Sequence, residues 1–192
     1  TIKTYNNLSD KEATEKALSI FKILKMPDPE KMLYSYPYQL SGGMQQRVSI
    51  ALALCGDVDL LIADDATRSL DVTIAAQIVE MLRDMVNGRK LSMLWITHSL
   101  PMCSLLSNKI MIIHDGRVLE MGTKNEILEN PRHFYTKVLM QVAPNLNQKR
   151  QNNYVFKNIS GEISGSMDAC SFINVCPDCM EICRIKHPEL ES

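Results

Sequence analysis

Residues 60–65 read Leu-Leu-Ile-Ala-Asp-Asp, an apolar run that ends in two adjacent carboxylates. An unbroken apolar run of this length is typical of a strand buried on both faces, and such strands are parallel and central in their sheet. Downstream, apolar residues recur at spacings of three and four over 74–85, which predicts a helix of about four turns. A second apolar run at 91–96 predicts another buried strand. Strand, helix and strand in this order predict a right-handed crossover unit of an α/β fold.

Several other segments carry start and turn signals. Ser9 and Glu12 form a capping-box pattern, which predicts that a helix begins here and ends by Pro27. Asp115 and Gly116 are a strong hairpin signal between two apolar runs. The predicted elements of the second half are strands at 109–114 and 117–121 and short helices near 100–106, 124–129 and 132–141.

Acidic and imidazole side chains follow the two predicted parallel strands. Ligands of such sheets bind at the carboxyl ends of the strands, where Asp64, Asp65 and His98 lie. Asp64 suits Mg²⁺ held through water, and Asp65 suits the orientation of a nucleophilic water. His98 suits contact with a terminal phosphate. Paired acids also occur as ordinary caps, and a lone histidine is usually structural.

Ser41, Gly42 and Gly43 precede a helix predicted over 44–54. Free backbone N–H groups, the positive end of the helix dipole and a serine hydroxyl then converge on one point, which suits a phosphate. Alone, this tripeptide indicates only a helix cap. Together with the strand-end residues, in this order along the chain, it favours a nucleotide phosphate site.

These motifs resemble those of the ATPase subunits of ABC transporters. Residues 40–45 resemble the signature motif, 60–65 the Walker B strand, 69–71 the D-loop, and His98 the switch histidine. Three further segments resemble the oligopeptide, dipeptide and nickel importer branch of that family. These segments are 36–39, 71–73 and 130–136. The resemblance runs from about Leu8 to Glu189, nearly the whole chain.

The resemblance implies a fold and a division into domains. The fold is a partial ABC ATPase core of the P-loop NTPase-like α/β class, with part of the helical subdomain and a small Cys-rich extension. The core and the end of the helical subdomain would occupy residues 1–143, a polar linker 144–166, and the extension 167–192.

The resemblance also implies roles for the motif residues. Two ATPase subunits form a head-to-tail dimer, in which the signature residues of one contact the ATP held by the other. Those residues are Ser41, Gly42, Gly43 and Gln45. Asp64 corresponds to the magnesium aspartate, and Asp65 and His98 to the residues that act on the attacking water and the γ-phosphate. Asp71 would couple the two sites.

Two departures from the family pattern bear on activity. Asp65 stands where the family has glutamate, and a catalytic group misplaced by about 1 Å can cost roughly 100-fold in rate. This predicts weak or absent hydrolysis, unless the change is tolerated in an asymmetric heterodimer. The second departure is that the 192 residues contain no Gly-x-x-x-x-Gly-Lys-Ser/Thr loop. We expect that loop upstream of Thr1, within a longer product; the alternative is a degenerate, non-catalytic partner that lends only its signature.

Four cysteines lie close together near the carboxyl terminus, at positions 170, 176, 179 and 183. Four soft ligands in a short span suit Zn²⁺ or an iron–sulfur cluster. The spacing of Cys170, Cys176 and Cys183 resembles the cysteine-bearing extension of the peptide-importer branch, for which a [4Fe–4S] cluster is one expectation. Cys179 would then be the fourth ligand. Unligated thiols are the alternative.

Composition limits the partners. The formal charge is −1, with 21 basic and 22 acidic side chains, which argues against nucleic-acid binding. No apolar run reaches the roughly 20 residues that span a bilayer. The resemblance implies a peripheral subunit on the cytoplasmic side of the membrane. The implied partners are a second ATPase subunit, transmembrane permease subunits and, indirectly, a substrate-binding protein; peptides are the first expected cargo and nickel the second.

Overall fold

The computed structural model describes residues 1–56, 58–68, 70–88, 91–143 and 168–186. The chain divides into two compact units, Thr1–His98 and Ser99–Ser192. The predicted linker at 144–166 lies outside the described residues, as does Ser69 of the D-loop motif. Among the described residues, no helix is both long and apolar enough to cross a bilayer.

The first unit contains the predicted strand, helix and strand. Its elements are α1 (Ile2–Asn6), α2 (Asp10–Ile23), α3 (Pro29–Met32), a 3₁₀ turn (Pro37–Gln39), α4 (Gly42–Ala53), β1 (Leu60–Asp64), α5 (Val72–Gly88) and β2 (Ser92–Ile96). Strands β1 and β2 pair in parallel, from Leu60 opposite Ser92 to Asp64 opposite Ile96. The α/β class and the crossover order are confirmed.

The capping box at the start of α2 is present as predicted. The Glu12 carboxylate accepts the Ser9 N–H at 2.9 Å, and the Ser9 hydroxyl accepts the Glu12 N–H at 3.4 Å. The helix ends at Ile23, before Pro27, and Lys25 then adopts a positive φ of 51°. The end of α2 is thus a turn in the backbone, and proline is not what stops it.

The prediction that both strands are buried on both faces was wrong for the described residues. Leu61 packs in a core built with α2, α4 and α5, and Ala63 is also buried, but Leu60 and Ile62 are 53% and 59% exposed. In β2, Leu94 and Ile96 are 51% and 46% exposed. Side chains alternate across a strand, and the helices of this unit cover one face of the sheet only.

The second unit is built on an antiparallel hairpin. Its elements are α6 (Leu100–Leu106), β3 (Lys109–His114), β4 (Arg117–Thr123), α7 (Lys124–Glu129), α8 (Phe134–Val142) and a 3₁₀ turn (Glu181–Arg184). Asp115 and Gly116 both have positive φ, 48° and 72°, as a two-residue hairpin turn that follows the strand twist requires. The hairpin prediction is confirmed.

Helix α8 begins two residues later than predicted because a buried acid holds the preceding backbone. The Glu120 carboxylate accepts the N–H groups of Arg132 and His133 at 2.7 and 3.1 Å. The His133 ring then caps the helix, since its Nδ1 accepts the Tyr135 N–H at 3.1 Å. These contacts take up backbone donors that precede the helix.

Candidate functional site

Asp65 and His98, the two residues predicted to act on the attacking water and the γ-phosphate, lie next to each other. Asp65 follows β1 and His98 follows β2, and the Asp65 N–H donates to the Ile96 carbonyl at 2.8 Å. This bond extends the parallel ladder by one residue beyond β1. The Asp65 Oδ1 then lies 3.3 Å from the His98 Nδ1. The strand register therefore places the carboxylate against the imidazole.

Asp65 occupies an unusual position for a carboxylate. Its φ is 47°, in the left-handed region that aspartate tolerates better than most residues. Its Oδ1 is buried and makes no hydrogen bond in the structure, whereas the His98 side chain is 80% exposed. An acceptor that is buried without a donor carries a desolvation cost, which a bound donor would remove. The carboxylate is thus oriented towards an exposed imidazole with one acceptor unused.

Asp64 and Arg68 flank this pair. Asp64 is exposed at the carboxyl end of β1, where an oxygen ligand for Mg²⁺ is expected. Arg68 Nε lies 4.0 Å from the Asp65 Oδ2, but the arginine is 79% exposed, so this is a weak, solvent-screened contact. Arg68 was not predicted from the sequence to lie near Asp65. Its position in the chain, three residues after Asp65 in a turn, is the one sequence signal for this contact.

Ser41 forms the N-cap of α4, which begins at Gly42, two residues earlier than predicted. Its hydroxyl accepts the Met44 N–H at 3.4 Å, and its carbonyl accepts the Gln45 N–H at 2.9 Å. The N–H groups of Gly42 and Gly43 stand in the first turn, where a helix offers no intrahelical acceptor. A cavity of about 590 Å³ opens beside this turn, and its lining includes Ser41 and Gly43.

Gln45 was predicted to contact nucleotide, but its side chain is engaged within the chain. The amide Nε2 donates to the carbonyls of Pro37 and Leu40, at 2.9 and 3.2 Å. It thereby holds the turn that precedes the signature against α4. Tyr36 and Tyr38 of this turn stack with their ring centres 5.6 Å apart.

Asp71 of the D-loop caps α5. Its Oδ1 accepts the Ile74 N–H at 2.9 Å, which supplies an acceptor at the start of the helix. The sequence pattern Asp-Val-Thr-Ile contained this signal, because aspartate is favoured three residues before such an N–H. Its coupling of two sites across a dimer stays a prediction.

Arg47 is a structural residue that sequence reasoning missed. Its Nη1 donates to the carbonyls of Leu24 and Lys25, both at 2.8 Å, and its Nη2 donates to the Gln77 Oε1 at 3.0 Å. The guanidinium therefore ties α4 to the end of α2 and to α5.

The motif residues form two groups within the first unit. Asp64, Asp65 and His98 gather at the ends of the strands, whereas the signature and Asp71 gather at the starts of α4 and α5. Among the described residues that line the cavity beside Ser41, neither Asp65 nor His98 occurs. The signature thus faces a space that the chain's own acid and imidazole do not line.

The four carboxyl-terminal cysteines lie within one short segment of the second unit. The Cys170 N–H donates to the Cys183 carbonyl at 2.9 Å. Burial raises the pKa of the Cys170 thiol, and the nearby thiols of Cys183 and Cys179 raise it further. All four are free thiols, and within the described ranges no three His, Cys, Asp or Glu side chains are arranged to hold a metal ion. The side chains as placed do not fit a metal or cluster without rearrangement.

The parallel crossover unit, the capped signature helix and the acid–imidazole pair define an ABC-type nucleotide-binding domain, of which this chain contains part. The ABC transporter family model matches residues 1–68. Over these residues the chain is similar to ABC transporter ATP-binding proteins. A second family model, the oligopeptide/dipeptide transporter C-terminal region, matches residues 119–183, from the hairpin to the last of the four cysteines.

Curated relatives agree with both matches. A probable peptide ABC transporter ATP-binding protein, y4tR of Sinorhizobium fredii, is 34% identical over 100% of this chain and 57% of its own length. The dipeptide transport ATP-binding protein DppD of Haemophilus influenzae is 35% identical over 98% of this chain and also 57% of its own length. The chain therefore spans just over half the length of these relatives.

A solved structure supports the fold. The ATP-binding cassette MJ0796, in a dimeric post-hydrolysis state bound to ADP and Pi, has a TM-score of 0.54 and is 27% identical. The likeness covers 61% of this chain and 49% of that cassette. The family resemblance and the partial ABC ATPase fold predicted from the sequence are confirmed.

Proposed function

We propose that this chain is part of an ATP-binding subunit of an ABC importer that takes up peptides. In this proposal it closes its signature over ATP held by a second ATPase subunit. The relatives, described as peptide and dipeptide transport proteins, support the cargo class. Nickel is a second cargo, supported only by the sequence resemblance to the importer branch.

The geometry of the signature carries the proposal. Ser41 caps a helix of 12 residues, whose first-turn N–H groups and positive dipole end favour an anion. The described residues that line the adjacent cavity include Ser41, Gly43 and Arg47, but not Asp65 or His98. A phosphate bound there would belong to a nucleotide that another subunit holds, which is the head-to-tail arrangement that the family resemblance implies.

The family implies ATP and Mg²⁺ as ligands of the complete protein, and the bound nucleotide supplies the phosphoryl group that water attacks. Asp64, exposed at the strand end, would hold Mg²⁺ through water. The unused Oδ1 of Asp65 would accept a hydrogen bond from the attacking water, and His98 would contact the γ-phosphate. Aspartate is shorter than glutamate by one carbon, so we expect Asp65 to perform this role poorly.

A second candidate function is that of a non-catalytic partner that lends only its signature. One observation favours it: the acid beside His98 is the shorter aspartate. Both functions use Ser41 in the same way, and they differ in whether Asp65 ever acts on a nucleotide.

The proposed partners are a second ATPase subunit and transmembrane permease subunits, which would hold the chain at the cytoplasmic side of the membrane. A substrate-binding protein would act on the permease from the other side. The dimeric state of the cassette MJ0796 supports the first partner, and the transport roles in the relatives' names support the second.

A complementation assay tests the function of the signature. The full-length Haemophilus influenzae relative, with its own signature serine replaced by arginine, would hold MgATP and lack a functional signature. Adding this chain should restore phosphate release, and Ser41→Arg in this chain should abolish that gain. Ser49→Arg, an exposed change on the same helix α4, is the matched control and should restore release like the unaltered chain. A gain that persists in Ser41→Arg, or no gain at any ratio, would refute the proposal.

We further propose that the four-cysteine segment holds a zinc ion or an iron–sulfur cluster after rearrangement. Two backbone contacts support this, because the Cys170 N–H donates to the Cys183 carbonyl at 2.9 Å and the Cys179 N–H donates to the Cys176 carbonyl at 3.3 Å. Protein purified without oxygen would show visible absorption for iron–sulfur, or stoichiometric zinc by elemental analysis. A colourless preparation free of both metals would contradict the proposal.

A further inference from the structure

Gly43 of the signature packs so closely against Ile74 of α5 that a side chain at position 43 would have no space. A Cβ built on Gly43 would lie 2.6 Å from the Ile74 Cγ2, a distance that real Cβ atoms essentially never show. A Cβ on the preceding Gly42 would meet the Leu70 Cδ2 at 3.7 Å, an ordinary van der Waals separation. The two adjacent glycines therefore differ: only Gly43 is required by the packing.

We infer that Ile74 is a positioning residue that fixes the first turn of α4, and with it Ser41, to the D-loop. This inference rests on the proposed function, because it assigns significance to where Ser41 is held. Ile74 touches no nucleotide in this scheme; it acts through Gly43.

The contacts of Ile74 connect the D-loop and the signature. Its N–H donates to the Asp71 Oδ1 at 2.9 Å, so the backbone at Ile74 moves with the D-loop cap. Its side chain packs against the core cluster together with Met44 and Leu70. On the other side of the Gly43 contact, Ser41 accepts the Met44 and Gln45 N–H groups. A displacement of Asp71 therefore reaches Ser41 through close contacts.

A second contact, one helical turn further along, fixes the rotation of α4 against α5. Arg47 stands four residues after Gly43, and Gln77 stands three residues after Ile74, so each pair lies on one face of its helix. The Arg47 Nη2 donates to the Gln77 Oε1 at 3.0 Å. Two contacts a turn apart resist both sliding and rolling, so the starts of the two helices move as one body.

Amide hydrogen exchange in the full chain tests the inference without any nucleotide. The Met44 and Gln45 amides report the signature turn, because both donate to Ser41. In Ile74→Ala, which removes Cγ2, we expect these two amides to exchange about tenfold faster. In Ile74→Val, which keeps both γ carbons, we expect exchange as in the unaltered chain.

The glycines supply a matched pair of variants. Gly43→Ala should accelerate exchange at Met44 and Gln45, and adding Ile74→Ala to it should slow exchange again, because the clashing methyl group is then absent. Gly42→Ala should leave exchange unchanged, or slow it, since alanine favours a helix. Amides of the paired strands β1 and β2, in the same unit, should not change in any variant, which separates local loosening from unfolding of the unit.

The inference is overturned if Ile74→Ala leaves the Met44 and Gln45 amides unchanged, or if the double variant exchanges faster than Gly43→Ala alone. Neither result bears on whether Ser41 serves a nucleotide, which the complementation assay decides. Conversely, a failed complementation leaves the exchange result readable.

Discussion

Replacing Arg47 by alanine tests how firmly the signature helix is tied to the helices beside it. The substitution removes three hydrogen bonds, two of 2.8 Å to the carbonyls of Leu24 and Lys25 and one of 3.0 Å to Gln77. Leu24 is fully buried, so its carbonyl loses a charged donor in a place that water reaches poorly. The other two contacts are exposed and contribute less.

The expected loss follows from these environments. A hydrogen bond from a charged donor contributes about 1.5–3 kcal/mol net when shielded, and exposed ones about 0.5–1 kcal/mol each. Arg47→Ala should therefore lower the free energy of unfolding by about 3 kcal/mol. Arg47→Lys should lose roughly half of that, because a single ammonium group cannot bridge both neighbours with the geometry of a guanidinium.

The assay is urea unfolding followed by the fluorescence of Trp95, the only tryptophan, which lies in β2 of the same unit. Gln77→Ala is the control, because it removes only the 3.0 Å bond and should cost about 0.5–1 kcal/mol. In the double variant the two losses should be less than additive. A loss in Arg47→Ala no larger than that in Gln77→Ala would refute the reasoning.

Three further predictions address activity, acid stability and thiol reactivity. In a subunit completed with the amino-terminal part of a relative, Asp65→Glu should raise ATP turnover by up to about 100-fold, measured as phosphate release, and an unchanged rate would contradict the role given to Asp65. Hydrogen bonds from the Thr123 side chain and backbone lower the pKa of Glu126 from 4.5, so its stabilisation is present above pH 4.5 and is lost as the pH falls through the lowered value. In Glu126→Gln, the free energy of unfolding should therefore fall less steeply as the pH is lowered below 4.5, as measured by urea titrations followed by circular dichroism. An equally steep fall in the variant and the unaltered chain would contradict this prediction. Burial raises the pKa of Cys170 and Cys176 above 9.0, so at pH 8 iodoacetamide should label both far more slowly in the folded chain than in urea, as mass spectrometry can show. Equal labelling rates would contradict the described burial.

Local signals made much of the fold predictable. The capping box at Ser9, the Asp115–Gly116 turn and the helical period of α5 each depend on residues close in sequence, and each is confirmed. The boundary of α8 was placed too early, because Glu120, twelve residues before Arg132, takes up the backbone donors that precede the helix. No local pattern contains that information.

The strands illustrate a different limit. An apolar run such as 60–63 shows that a strand can be buried on both faces, but it does not show that other elements pack against both faces of its sheet. In the described residues only one face of β1 is covered, and Ile62 on the other is 59% exposed. An exposed apolar face on a parallel sheet is unusual, because such sheets are normally covered on both sides.

The candidate site divides in the same way. Residue types and their order along the chain were enough to identify the acid pair after β1, the imidazole after β2 and the capped glycine turn, because phosphate chemistry demands those groups at strand ends and helix starts. Only the tertiary structure placed the Asp65 carboxylate 3.3 Å from the His98 ring, turned the Gln45 amide back onto its own chain, and seated Gly43 on Ile74. These contacts join residues that strand register and helix packing bring together, so the distances between them depend on the fold of the whole unit. A motif, in contrast, can be recognised from its own few residues.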